Sequence, residues 1–537
     1  MKRKIRNIII TVVIAFIAYY IALPAINLNN PGFYVYLFFI VLLYGALDSF
    51  TCKTSVIITK KTKTGTHLDI KKLDGLLPKC LIACGAVFIL ILLANLICSP
   101  LFNAKKYQTR ITVDENGNFA NDIKEVDFNQ LPLLDKDSSS VLGDRVMGEM
   151  SELVSQYNVS TLYTQINYND EIMRVTPLEY ADGIKWLTNR KQGIVGYITV
   201  NSVNGESKLI KLEKGMKYSD SGWFNDNLER KLRFSYPTTN FGKISFEIDN
   251  DGHPYYIVPT IKYAAVGLRA KVTGVIIFDP ITGNSKKYKL EDVPTWVDIA
   301  YSAQLIIEQV DDWGTYKNGF WNSIFGQKNV VNTTEGYNYL AMEDDVYLYT
   351  GITSVVSDES NLGFILTNMR TGKTTYYSVP GAEEYSAMNS AEGQVQDLGY
   401  HSTFPLLINL KGRPTYLVSL KDNSGLVKMY GFIDVRDYQK VSVTDASKGI
   451  IKAKDNYLAS IKKEAKDDEL VIKEIKVDHI NTSIINGYTY YYINSGEEKY
   501  KISISLSDKL PFVKVGDTIK IGYYETESEI IEVEKYY

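Results

Sequence analysis

Three apolar runs near the start of the chain limit what it can fold into more than any other feature. Ile8 to Ile26 is a 19-residue run without a charge. Phe33 to Leu47 is a second run, extendable through Pro31 and Gly32. Cys80 to Cys98 is a third, again 19 residues, with Asn95 its one strongly polar member. A helix rises 1.5 Å per residue, so about 20 residues cross the hydrocarbon core. The second run must borrow flanking residues or tilt. Inside lipid a helix satisfies its own backbone, so residues 1–100 are predicted as a three-helix transmembrane region.

Lysine and arginine set the expected orientation. Lys2, Arg3, Lys4 and Arg6 precede the first span, the loop Asn27–Gly32 carries no charge, and the loop from Thr51 to Lys79 carries seven lysines. Positive segments stay in the cytoplasm. The N-terminus and second loop are therefore expected inside, and residues after about 100 outside. A cleaved signal peptide is the rival reading of residues 1–25. However, Ala22-Leu23-Pro24-Ala25 is not an Ala-x-Ala site, and two more spans follow. Asp48, at the cytoplasmic end of the second span, is expected to face water.

Charge and cysteine narrow the class of the rest. Residues 1–100 hold 11 Lys/Arg against 3 Asp/Glu, and residues 101–537 hold 48 against 59. A balance of −11 disfavours a nucleic-acid partner, whose phosphates need a basic face. Cys52, Cys80, Cys84 and Cys98 all lie in or beside the spans, so the ectodomain cannot use disulfides. This points to a Gram-positive-type bacterial envelope, and forty tyrosines with abundant Ile, Lys and Asn fit a β-rich protein from an AT-rich genome.

Beyond residue 100 the fold class is expected to be α+β. Residues 101–160 form an extracytoplasmic lead-in. Gln108–Val113 reads as a strand, Glu115-Asn116-Gly117-Asn118 as a turn, and Ser138–Ser140 as caps of a helix running to about Tyr157. The chain then repeats a pattern. Gly196-Tyr197-Ile198-Thr199-Val200-Asn201, Asn204-Gly205 and Tyr218-Ser219 match Gly363-Phe364-Ile365-Leu366-Thr367-Asn368, Thr371-Gly372 and Tyr385-Ser386 at an offset of 167. Further on, Gly252-x-Pro254 matches Gly412-x-Pro414. These matches predict a duplicated β-rich unit, the first α+β repeat over 161–290 and the second over 336–445. Residues 291–335 link them, with a helix over Asp292–Gln309 and an aromatic loop over Trp313–Asn332. Residues 446–537 read as a helical connector and five short strands, suggesting a small barrel resembling the oligonucleotide/oligosaccharide-binding (OB) fold.

Leu131-Pro132-Leu133-Leu134-Asp135, Gly351-Ile352-Thr353-Ser354-Val355 and Gln394-Val395-Gln396 resemble segments of a family of uncharacterised multi-span membrane proteins of the Gram-positive envelope. The resemblance covers residues 1–445 and implies an envelope location and no known activity. The strand–helix–strand units also resemble PepSY-type modules, which are non-catalytic.

Chemistry-bearing motifs are sparse. His67, His253, His401 and His479 show no metal-ligand spacing, and no phosphate-binding glycine loop is present, so no metal or cofactor is expected. Ser460-Ile461-Lys462-Lys463 matches Ser-x-x-Lys and Lys63-Thr64-Gly65 matches Lys-Thr-Gly, but the expected topology puts them on opposite sides of the membrane. Asp249-Asn250-Asp251-Gly252 and Asp114-Glu115-Asn116-Gly117 resemble calcium loops but lack the closing glutamate, which leaves plain turns. The carboxylate clusters are Asp311-Asp312, Glu343-Asp344-Asp345 and Asp358-Glu359. A glycosidase needs two carboxyls about 5–10 Å apart in a cleft, which sequence does not display.

The reading these residues give is a membrane-anchored extracytoplasmic binding or scaffold protein, leaning non-catalytic. Its expected partners are the lipid bilayer and other envelope proteins or a cell-wall polymer, with the oligomeric state open. The candidate binding surface is Asp311, Asp312, Trp313, Tyr316, Phe320 and Trp321. Two alternatives remain: a cell-wall or polysaccharide-active hydrolase using paired carboxylates, and a subunit of a membrane transport complex. A buried Asp48 or a helix face of small residues favours the last.

Overall fold

The computed structural model describes residues 2–51, 60–62, 65–67, 75–125, 127–128, 131–342, 344–355, 357–464, 471–485, 488–523 and 530–537. Glu343, the Asn486-Gly487 turn and Lys53, Lys63, Lys71 and Lys72 of the lysine-rich loop lie outside them.

Three helices are long and apolar enough to cross a membrane: α1 (Lys2–Ala22), α2 (Pro31–Thr51) and α3 (Leu77–Cys98). Polar side chains fasten α1 to α2 at one end. Arg3 pairs with Asp48 at 3.3 Å, and Asn7 Nδ2 donates to Leu47 O and Thr51 Oγ1 at 3.2 and 2.7 Å. Asp48 is therefore buried in protein rather than turned to water. A charge leaving solvent needs a partner, and Arg3 supplies it. Gly45 brings α2 against α3, where an added Cβ would stand 2.9 Å from Cys80 Sγ.

The other end of this bundle docks on the β-rich part, and the uncharged loop explains itself there. Ile26 N donates to Pro237 O, Asn27 Nδ2 to Thr238 O, Asn29 Nδ2 to Tyr263 O and Asn30 Nδ2 to Asn240 Oδ1. Asn95 makes a two-way bond with Val266, donating to its carbonyl and accepting from its amide at 3.0 and 3.1 Å. Asparagine carries both a donor and an acceptor, so it can satisfy backbone groups without the cost of burying a charge.

The lead-in differs from its expected form. α4 (Pro100–Gln108) replaces the strand at Gln108, and the segment read as a turn is a strand, Val113–Gly117, paired in parallel with Thr374–Tyr377. α5 (Lys136–Glu149) is capped by Asp135, whose side chain accepts from Ser138 N, and it stops well short of Tyr157. The carboxylate one turn upstream captures the free amides before the serines can.

Four sheets follow, antiparallel apart from the pairing of Val113–Gly117 with Thr374–Tyr377 in the third. The first runs β1 (Thr164–Tyr168), β2 (Glu171–Tyr180), β3 (Ile194–Asn201), β4 (Ser207–Met216), with α6 (Gly183–Asn189) between β2 and β3. After α7 (Leu228–Ser235) comes β5 (Ser245–Ile248), β6 (Pro254–Lys262), β7 (Lys271–Phe278), β8 (Ser285–Tyr288). α8 (Ala303–Thr315) leads to β9 (Asn338–Met342), β10 (Asp345–Ser354), β11 (Ser357–Asn368), β12 (Thr374–Tyr377). After α9 (Glu384–Gly393) the last is β13 (Leu406–Leu410), β14 (Arg413–Lys421), β15 (Val427–Asp434), β16 (Val441–Asp445).

Sheets one and three share strand order and turn chemistry. Gly205 and Gly372 have φ of +77° and +74°, and each amide donates to the carbonyl of Asn201 or Asn368. Each of those asparagine side chains accepts from two turn amides and donates to a carboxylate, Glu171 or Asp345. Pro254 and Pro414 hold matching places at the second strand of sheets two and four, each behind a glycine of positive φ, Gly252 and Gly412. One core joins sheets one and two through Val175, Ile198, Phe246, Val258 and Phe278, with Leu228 and Leu232 of α7 packed in. α8 packs Ile306, Val310 and Trp313 on Val346, Leu348 and Ile365 of sheet three. The expected start of this helix at Asp292 is wrong. Ser302 caps it, and Val297 and Ala300 are buried in the irregular segment before it.

The chain divides into two compact units, residues 1–454 and 455–537. The second holds β17 (Val471–Lys476), β18 (His479–Ile485), β19 (Tyr488–Ser495), β20 (Glu498–Ser503), β21 (Thr518–Tyr523) and β22 (Ile530–Tyr536). Their order is β17-β21-β22-β20-β19-β18, with β20 parallel to β22. Among the described residues no sheet closes into a barrel: the six strands form an open path in place of the expected OB-like closure. The two end strands of that path are consecutive in the chain. Between them Val477 N donates to Asp517 O and Asp478 N to Asn494 O.

Candidate functional site

The residues expected to form an aromatic surface divide into anchors and surface. Trp313 is 3% exposed in the core beneath sheet three, with Lys317 Nζ 3.8 Å from its ring centroid. Asp311 accepts from Thr333 N and Oγ1 at 2.8 and 3.0 Å, and Asp312 pairs with Arg110, which also donates to Ala270 O. Burial raises both carboxyls above the usual range, and these donors pull them back. Tyr316 packs edge-on against Tyr107 of α4. Phe320 lies edge-on to Trp321. Trp321 faces outward at 63% exposure and stacks on Phe325 at 5.9 Å. α8 continues through Thr315, so Trp313, expected in a loop, sits on the buried stripe of a helix.

Two neighbouring, deeply buried carboxylates are ones the motifs did not mark. Glu247 on β5 accepts from Asp298 N, Ile299 N and Ser245 Oγ, and Asp298 accepts from Asn167 N. Both are within 1% of fully buried. Burial, and for Asp298 the neighbouring Glu247 charge, hold the pair above the carboxylate range. A substrate has no path to them, so they clamp the linker onto sheets one and two rather than face a cleft.

An open depression on unit one lies beside β4, the last strand of its sheet. Ile194 pairs with Met216 but Gly196 pairs with Lys211, so Leu212–Gly215 bulge out of the ladder. Gly193 and Gly215 permit the bulge. A Cβ on Gly215 would stand 2.3 Å from Gln192 O, and Gly193 has φ +81°. The result is an open groove of about 740 Å³ whose walls include Arg190, Lys191, Lys211, Lys214 and Lys217 against Glu152 and Glu213. Arg190 is held by Asp226 and the Trp186 ring, and Lys211 by Glu152. Among the described residues Lys191, Lys214 and Lys217 make no ion pair. An excess of cations on a region of net negative charge attracts anions and focuses their field. The sequence signal was the run Lys208 to Lys217, four lysines within the acidic residues 101–537.

Among the described residues no three His, Cys, Asp or Glu side chains converge to hold a metal ion. Neither a protein-family model nor a curated protein matches the chain.

Proposed function

We propose that the chain is a membrane-anchored extracytoplasmic binding or scaffold protein of a Gram-positive-type envelope, and that the groove beside β4 seats an anionic cell-wall polymer. The observation that carries this reading is the cluster of Arg190, Lys191, Lys211, Lys214 and Lys217 around one open groove. The resemblance of residues 1–445 to envelope membrane proteins supports the location, and the seven-lysine loop supports the orientation. Paired strand order, matched positive-φ glycines and matched asparagine turns support an internal duplication. For residues 471–537, the continuity of β17 into β18 and the parallel β20–β22 pair support an OB-like unit.

The test uses the full chain in nanodiscs. A phosphodiester-linked wall polymer and a neutral glucan are titrated at two salt concentrations. The charged polymer should bind, weaken with salt as released counterions require, and lose about tenfold or more in affinity in a Lys211→Glu/Lys214→Glu variant. Equal binding of both polymers, or indifference to the double substitution, removes the proposal.

One observation favours a second reading, a subunit of a transport complex: Asp48 is buried at a helix–helix contact, close to where Gly45 draws α3 in. Arg3 already neutralises that carboxylate inside the bundle, which ranks this reading second.

A further inference from the structure

α7 lies across the end of α1 and caps it. Helices end with carbonyls that lack intrahelical donors, and cations there are favourable. Arg230 Nε donates to Tyr20 O and Arg233 Nε to Leu23 O, both at 3.0 Å. Arg230 also sits 4.2 Å over the Tyr20 ring, and Tyr20 OH donates to Asn225 Oδ1 at 2.9 Å. Phe234 packs edge-on against Tyr19 at 5.8 Å. These contacts fix a height: residues 223–225 and Phe234 stand level with the last turn of a membrane-spanning helix.

At that height the protein exposes a cluster of large apolar side chains. Ile184, Leu187, Trp223, Phe224 and Phe234 are each between 48% and 71% exposed. Trp223, Phe224 and α6 form one stretch of this cluster. Trp223 and Phe224 rings lie 6.5 Å apart, Phe224 is 5.8 Å from the mostly buried Trp186, and a Cβ on Gly183, which opens α6, would touch the Trp223 ring at 2.9 Å. Phe224 holds φ of +50°, a strained conformation for a bulky residue, while its ring is 60% exposed. An apolar patch of this kind facing water is unfavourable, and its position beside α1 continues the surface that α1 presents to lipid.

We propose that α6 and the Trp223–Phe224 turn form a foot that enters the lipid leaflet on the β-rich side of the membrane. Tryptophan suits this depth because its ring is apolar and its N–H can meet the headgroup region. Lys185, Arg190 and Lys191 on and just after α6 place cations where lipid phosphates lie. The foot fixes the β-rich unit at the bilayer by two attachments, the spans and this edge. It also brings Arg190 and Lys191, which belong to the groove beside β4, to the headgroup level. The inference does not depend on what that groove binds.

The test is tryptophan quenching in the full chain, in nanodiscs made with or without lipids brominated on the acyl chains. Trp321→Phe removes the other strongly exposed indole, and the Trp223 signal is the difference between that variant and Trp321→Phe/Trp223→Phe. The conservative ring replacement at an exposed position keeps the fold, which circular dichroism checks. The Trp223 component should lose most of its intensity with brominated lipid and be poorly reached by aqueous acrylamide. A component that ignores brominated lipid overturns the foot, whether acrylamide reaches it freely, as for a solvated turn, or not, as for a surface covered by protein.

Discussion

Replacing Arg233 with methionine should open the seam between the spans and the β-rich unit. Arg233 is 7% exposed and donates to three carbonyls: Leu23 O at 3.0 Å, Tyr236 O at 3.2 Å and Thr239 O at 2.6 Å. Its stem and guanidinium cover Phe241, with Cζ 4.2 Å from the ring centroid. Arg233→Met keeps the apolar stem and removes all three donors. A hydrogen bond with a charged donor contributes about 1.5–3 kcal/mol, and carbonyls left buried without a donor add a desolvation penalty. The arginine was itself desolvated, which offsets part of the loss. A net local cost of roughly 3 kcal/mol follows, or a little over 100-fold in the opening equilibrium. The assay is amide hydrogen exchange on the full chain in nanodiscs. Ile26 N, which donates to Pro237 O across this seam at 2.8 Å, should exchange about 100-fold faster, while Val200 and Ile276 in the sheet cores keep their rates. Unchanged protection at Ile26 would refute the argument that Arg233 holds the seam. Equal acceleration in the sheets would show global destabilisation instead.

Asp298→Asn tests the clamp. A folded-state pKa raised above its unfolded value makes the folded state bind the proton more tightly, so this contribution to stability is greatest below the unfolded pKa and is lost as pH rises through the folded one. Glu247 is pushed up to about 7 and Asp298 is raised with it, so wild-type thermal stability should decline as pH rises through about 7, and the variant, which keeps an acceptor for Asn167 N, should decline less and be more stable above that pH. The matched turns should respond unequally to alanine. Gly205→Ala should cost about 1 kcal/mol from its positive φ alone, whereas Gly372→Ala should cost more, since its Cβ would meet the Tyr301 ring at 2.8 Å. Chemical denaturation of the two variants side by side checks the order. Protease added to intact protoplasts should remove residues beyond about Lys105; full protection until lysis would reverse the proposed orientation.

The three spans were legible in the sequence because crossing a bilayer is a local demand: each run needs its own length and apolarity, whatever its neighbours do. The paired turns were legible for a similar reason. Asn201 with Gly205 and Asn368 with Gly372 encode a backbone shape within five residues, and positive φ selects glycine at each. The start of α8 was not legible. Trp296 and Ala300 imitate a helical stripe, but their burial comes from packing an irregular segment beside sheet two, and periodicity cannot distinguish the two sources of burial. The same ambiguity placed Trp313 on a surface when it belongs to a core.

What tertiary structure alone decided were the partners of polar groups. The sequence marks Asn27, Asn29, Asn30 and Asn95 as uncharged and polar, and no more; only the fold brings Thr238, Tyr263, Asn240 and Val266 to them. Asp48 looked like a helix-end carboxylate until Arg3 was found beside it. The groove beside β4 has the same origin. Arg190 and Lys191 end one segment and Lys211 to Lys217 line another, and a ladder with a bulge sets them around one space. Hydropathy is a property each residue carries along the chain, whereas a hydrogen-bond partner or a shared field depends on distance, and distance exists only after folding.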